Sequence, residues 1–64
     1  MYTLKKVLEL VNAGSDIYCE LYRSADRSIT EGWLSDLDLD FNQRVESYAL
    51  ENDGENEYLV LHIA

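Results

Sequence analysis

Proline is absent from this chain, cysteine, histidine and tryptophan each occur once, and only five of its 64 residues are Lys or Arg. Each scarcity excludes something. A lone cysteine, Cys19, permits no intrachain disulfide framework, the usual support of a small secreted domain. A lone histidine, His62, leaves no second imidazole for a metal pair. With three glycines there is no Gly-rich loop to cradle a phosphate. No apolar run approaches the roughly 20 residues of a membrane-spanning helix. The opening segment from Met1 to Val11 carries Lys5, Lys6 and Glu9 within its apolar stretch, unlike a signal peptide. A cytoplasmic protein is expected. No repeat or proline-rich linker divides residues 1–64, so a single small α+β domain is expected. A chain of this length buries only about 60% of its unfolded surface, which makes its core critical.

What is abundant is negative charge. Thirteen acids against five bases give a net charge of −8. Residues 1–27 hold Glu9, Asp16, Glu20 and Asp26 against Lys5, Lys6, Arg23 and Arg27, which cancel. Residues 28–64 hold the other nine acids and one base, Arg44. Such a field repels nucleic acid and anionic membranes and attracts basic surfaces. A basic, aromatic-lined nucleic-acid surface is absent.

Apolar periodicity supplies the fold. Leu4, Val7, Leu8 and Val11 form one helical stripe, flanked by Leu10, so residues 3–13 read as a helix with Thr3 as N-cap and Gly14 at its left-handed end. Residues 16–23 alternate, with Ile17, Cys19 and Leu21 on one face and Tyr18, Glu20 and Tyr22 on the other. A polar turn at 24–28 leads to a second strand over 29–34, where Gly32 marks a bulge or a close backbone approach. Residues 35–42 fit two patterns. Leu34, Leu37 and Phe41 have helical spacing, with Ser35 and Asp38 resembling a capping box. Leu37, Leu39 and Phe41 also alternate with Asp36, Asp38 and Asp40 as in a strand. A single helical turn or ordered loop is the favoured reading.

Residues 45–63 organise the rest. Val45–Leu50 alternates, Asn52–Asn56 is a polar turn around Asp53-Gly54, and Tyr58–Ile63 is the most apolar run. This is a strong hairpin signal. Regular pairing places Tyr48 and Leu50 beside Leu59, Leu61 and Ile63, and Val45 and Ala49 beside Tyr58, Val60 and His62. It also turns Glu46 toward the core, which counts against that register. The last strand is apolar on both faces and belongs in the middle of the sheet. The expected fold class is α+β: one N-terminal helix packed on a four-stranded, mainly antiparallel sheet.

Candidate chemistry is sparse. Asp36, Asp38 and Asp40 match the first three acidic positions of an EF-hand, but Phe41 and Ser47 stand where that loop needs Gly and Glu. No metal or other cofactor is expected. Cys19 reads as a small buried hydrophobe and His62 as a structural residue. Trp33, Tyr18 and Tyr22 either complete a small core or cover the sheet, or else anchor an interface. Acids recur at spacing two in Asp36, Asp38 and Asp40 and again in Glu51, Asp53, Glu55 and Glu57. In extended chain this separates carboxylates by roughly 6.6 Å, of the same order as the phosphate repeat of a nucleic-acid strand. Plain solvation of the surface explains the charge equally well.

The chain as a whole resembles a group of very small acidic proteins carried by bacteriophages and other mobile elements. The resemblance runs through Thr3–Leu10, Ile17–Tyr22, Glu31–Leu37, Arg44–Ser47 and Leu59–Ile63. It implies an inhibitor of host defence, as in anti-CRISPR proteins, anti-restriction proteins and uracil-DNA glycosylase inhibitors, several of which mimic DNA. It carries over no binding residue. The expectation is a non-enzymatic inhibitor, monomeric or homodimeric, in the host cytoplasm. It would bind a protein with a basic nucleic-acid groove, not nucleic acid or membrane, through Asp36, Asp38, Asp40, Glu51, Asp53, Glu55, Glu57 and Trp33. The alternative is a small phage structural or adaptor protein acting by homodimerisation or sheet-edge pairing.

Overall fold

The computed structural model describes residues 2–12 and 16–64. Strand β1 (Tyr2–Thr3) runs directly into helix α1 (Leu4–Leu10). Strands β2 (Tyr18–Arg23) and β3 (Ile29–Trp33) form one hairpin, and β4 (Arg44–Asn52) and β5 (Glu57–Ile63) another. A single 3-10 turn, Leu34–Asp36, opens the crossing between them. The sheet order is β1-β4-β5-β2-β3.

The architecture is α+β with one helix, as the periodicity implied, but the sheet has five strands and is mixed. The added strand, β1, pairs Tyr2 with Val45 and Thr3 with Arg44. Two residues are too few to alternate, so no pattern marks them. The crossing from β3 to β4 brings β5 alongside β2 in parallel, with Tyr18 opposite Tyr58 and Leu21 opposite Leu61. The other three ladders are antiparallel. β5 lies in the centre, where its apolarity on both faces suits it.

Thr3 caps the helix by accepting the Lys6 amide on Oγ1 at 3.3 Å. The exposed amides of the first turn find backbone carbonyls: Leu4 donates to Gln43 at 2.8 Å and Lys5 to Phe41 at 3.0 Å. The helix is shorter than its stripe. It ends at Leu10, and Asn12 takes the left-handed conformation (φ 53°) expected of Gly14. Asparagine tolerates that conformation and is a weak helix former. Ala13 and Gly14 lie outside the described residues. Leu4 and Val7 are buried, and Leu8 and Val11 pack against the same core.

That core holds Leu4, Val7, Ile17, Cys19, Leu21, Val45, Leu59, Leu61 and Ile63. Val45 departs from the regular pairing. The ladder shifts between Val45 and Ser47, so that Val45 pairs with Ile63 while Ser47 pairs with His62. Glu46 is the extra residue of a β-bulge. The bulge turns Val45 into the core and leaves Glu46 exposed, which removes the buried acid that regular pairing required.

The segment after β3 is a single helical turn followed by irregular chain, the favoured reading, and neither period holds along all of it. Leu34, Leu37 and Leu39 pack on the core while Phe41 is exposed. Gly32 is a close approach, with no register shift at that position: a Cβ there would stand 3.3 Å from Leu37 Cδ2. The Ser35–Asp38 capping box does not form: the turn starts at Leu34, which puts Ser35 inside it, and Ser35 is bound instead by Asp16. Asp16 Oδ1 accepts the Ile17 and Ser35 amides, each at 3.0 Å, and Oδ2 accepts the Ser35 hydroxyl at 2.7 Å. This carboxylate ties the start of β2 to the start of the crossing.

The Ser35 hydroxyl, then the Ser35 amide, hold the Asp16 carboxyl below its ordinary pKa near 3.8. A group depressed on folding stabilises the fold above its unfolded pKa, and the contribution is lost as pH falls through the folded value. The melting temperature is therefore expected to drop below about pH 4, and to drop less steeply in Asp16→Asn. Asp26 and Asp53, also depressed, keep a residual slope. Thermal melts between about pH 6 and pH 2 check this, and parallel curves for the two proteins would remove Asp16 from the acid response.

Candidate binding face

Helix α1 covers one face of the sheet, and cross-strand registers define the other. Tyr18, Glu20 and Tyr22 of β2 point away from the buried Cys19 and Leu21. Their partners share that outer face, giving three rows. Trp33, Tyr18, Tyr58 and Glu51 form the first, Glu31, Glu20, Val60 and Ala49 the second, and Ile29, Tyr22, His62 and Ser47 the third. Trp33 is 50% exposed and Ile29 64%. Tyr18, Tyr22, Tyr58 and Val60 are half-buried against one another. Trp33 does not complete the core; it lies on the outer face, where covering the sheet and anchoring an interface are both open to it. Tyr18 and Trp33 meet edge to face at 5.6 Å, and Tyr22 stacks on His62 at 5.0 Å.

The face is also charged. Glu20 and Glu31 stand directly opposite each other across β2 and β3. Like charges in that position destabilise a sheet. The Tyr22 hydroxyl donates to Glu20 Oε1 at 2.8 Å, and the bond to Glu20, then its charge, holds the Tyr22 hydroxyl's pKa above the usual value. Among the described residues the one ion pair is Lys6 with Glu9 at 3.9 Å, on the helix. The acids of the sheet and of the β4–β5 turn thus carry an uncompensated field. Glu31→Lys should stabilise the domain by about 0.2–1 kcal/mol by replacing repulsion with attraction. Urea denaturation reads this directly, and a loss of stability would show that Glu31 is held by something other than the solvent.

The expected site residues do not form one row. Asp36 closes the 3-10 turn, so the spacing of Asp36 from Asp38 is not that of extended chain. Asp38 and Asp40 border a recess with Leu4, Leu21, Arg23, Leu39, Gln43 and Ile63. Glu51, Asp53 and Glu57 lie at the opposite end of the sheet, by Tyr58 and Trp33. Tyr58 and Ile63 are five residues apart on β5, which is about 17 Å. Asp53 is a turn former as well as a charge: its Oδ1 accepts the Glu55 amide at 2.9 Å and the Asn56 amide at 2.8 Å. Those amides, Asn56 first, depress its pKa. Glu55 is exposed in the same turn.

Sequence reasoning missed Glu20 and Glu31 as members of this site, and left Tyr58 out of the aromatic group. Alternation assigned Tyr18, Glu20 and Tyr22 to one face, but pairing across strands was needed to bring Glu31 and Tyr58 beside them. Cys19 is fully buried, and burial, with the Asp16 charge adding, pushes its thiol up to about 11, unlike a reactive thiolate. Among the described residues no three His, Cys, Asp or Glu side chains converge as a metal ion requires, and no helix is long and apolar enough to cross a membrane. Comparison with protein-family models, with curated proteins and with solved structures finds no match to this chain.

Proposed function

We propose that this protein is an acidic inhibitor that docks on the basic nucleic-acid-binding surface of a host defence complex, in the manner of an anti-CRISPR protein, and blocks nucleic-acid engagement. The observation that carries this reading is the open sheet face, where half-exposed Trp33 lies among carboxylates that have no ion-pair partner among the described residues. An apolar aromatic anchor inside a field of one sign suits a basic protein surface. The ring supplies the desolvated contact that dominates binding energy, and the charge supplies steering and partner choice. Exposed ion pairs alone contribute little. Glu51, Asp53, Glu55 and Glu57 surround the anchor's end of the sheet. Asp36, Asp38 and Asp40 extend the field and stand in for phosphates on a partner long enough to reach them.

The test is retention of a nucleic-acid-binding complex from bacterial lysate on the immobilised protein at moderate salt, with release by added DNA or guide RNA. Trp33→Ala should weaken that retention by about 2 kcal/mol, the cost of a hot-spot residue. Reversing Asp36, Asp38 and Asp40 to Lys together should weaken binding without unfolding the domain. Unchanged affinity would remove that segment from the contact, and no displacement by nucleic acid would remove the competition.

A second reading, a structural or adaptor protein, draws on strand β3. It forms an edge of the sheet, and Ile29, Thr30, Glu31 and Trp33 on it are exposed. An open edge pairs with another chain through its backbone. That reading requires a defined oligomer at micromolar concentration and binding that survives moderate salt.

A further inference from the structure

We infer that the recess beside Trp33 is a receptor for one arginine side chain presented by the partner. This rests on the reading that the protein docks on a basic surface, and it specifies which group of that surface is gripped and where. The recess has a volume of about 430 Å³ and is lined by Tyr18, Glu20, Trp33, Asp53, Asn56, Glu57 and Tyr58. It lies within the size range of sites that enclose a small group, toward the lower end. Three of its lining residues are aromatic and three are acidic, and no base is among them.

This composition follows from the registers. Tyr18 pairs with Trp33 on one side and with Tyr58 on the other, so three rings share one row. The Tyr18 and Trp33 rings stand nearly perpendicular, at 89°, which makes a corner and not a flat stack. The β4–β5 turn brings Asp53 to the end of that row. Its carboxylate is fixed by the Glu55 and Asn56 amides through Oδ1. Glu20 is fixed likewise, by the Tyr22 hydroxyl on Oε1. Both carboxylates are therefore oriented before a ligand arrives, which lowers the ordering cost of binding.

Aromatic faces attract cations, and carboxylates pair with them. A guanidinium uses both at once, because it is planar, stacks on rings and donates in a fork to a carboxylate. An ammonium is more strongly hydrated and lacks the flat face. An anion is repelled by Glu20, Asp53 and Glu57, and a neutral apolar group leaves their charge unused. Charge complementarity thus selects arginine over the other side chains of a basic surface.

Trp33 is the single tryptophan of the chain, so its fluorescence and its indole N–H resonance report on the recess directly. The probe is a short capped peptide, Gly-Arg-Gly, compared with its citrulline and lysine counterparts. The arginine peptide should shift the Trp33 indole and the amides of Tyr18 and Tyr58 in a saturable manner. The citrulline peptide, nearly the same shape without charge, should bind about tenfold more weakly, as loss of a cation–π and ion-pair contact implies. The double variant Glu20→Gln with Asp53→Asn keeps both hydrogen-bonding shapes and should lose arginine preference. Equal affinity for arginine and citrulline, or shifts centred on Asp38 and Asp40, would overturn the inference. A basic partner held equally well by the native protein and by Glu20→Gln, with no arginine-peptide binding, would overturn it and leave the wider reading in place. Arginine-peptide binding at the recess with no basic partner retained would uphold the site and fail that wider reading.

Discussion

Leu61→Ala is expected to remove about half of the domain's stability and to lower its melting temperature sharply. Leu61 is fully buried on β5, paired with Leu21 of β2 and Tyr48 of β4. No strand edge offers it a route to relax. Truncating a buried leucine to alanine costs about 2–5 kcal/mol, because the cavity only partly closes. At about 0.05–0.15 kcal/mol per residue, a domain of 64 residues has roughly 3–10 kcal/mol in total. One methyl cluster therefore accounts for a large share of the whole stability. Val60→Ala is the control. Val60 is next in the chain but on the outer face, half-buried, and its loss should cost about 1 kcal/mol or less. Urea denaturation followed by circular dichroism separates the two. Equal effects would mean that the faces of β5 are not distinguished as the registers require.

Deleting one residue from β4 should give opposite results at two positions three residues apart. Deleting Glu46 should be tolerated. The bulge already places Val45 against Ile63 and Ser47 against His62, so the deletion joins them into a regular ladder with every facing kept. Deleting Ala49 should abolish the native fold. It leaves the residues on one side of the gap facing the wrong way, because a one-residue slip exchanges the faces of a strand. Keeping Tyr48 toward the core would turn Leu50 out, or the reverse, beside a β5 whose Leu59 and Leu61 need cover. Proton NMR dispersion and melting temperature distinguish the outcomes. A folded Ala49 deletion, or an unfolded Glu46 deletion, would show that the bulge is not where the ladder shifts.

The bulge, the Asp16 tie and the opposed glutamates bear differently on function. The first two make the fold: one keeps an acid out of the core, and the other holds the crossing to β2. The opposition of Glu20 and Glu31 works against the fold. That repulsion has a use under the proposed function, because the open aromatic face would meet a basic surface. Under the proposed function, Glu31→Lys would therefore gain stability and lose affinity together.

By itself, the sequence determined the local elements and the facing within most of them. The stripe of Leu4, Val7, Leu8 and Val11, the alternation of residues 17–22, and the apolar run closed by Asp53-Gly54 all express forces acting between residues close in the chain. The placing of β5 in the centre also followed, because a strand apolar on both faces must be covered on both. Only the tertiary structure decided the rest. The two-residue β1 exists because β4 offers it an edge. Parallel pairing of β2 with β5 depends on how the crossing folds back, and three leucines that no single period relates direct that crossing onto the core. The bulge arises where regular pairing would bury Glu46. The Asp16–Ser35 tie spans 19 residues and carries no local signature. The candidate site belongs to this second group: Trp33, Tyr18 and Tyr58 are far apart in the chain and become one row through hydrogen-bond register across strands, which sequence spacing does not encode.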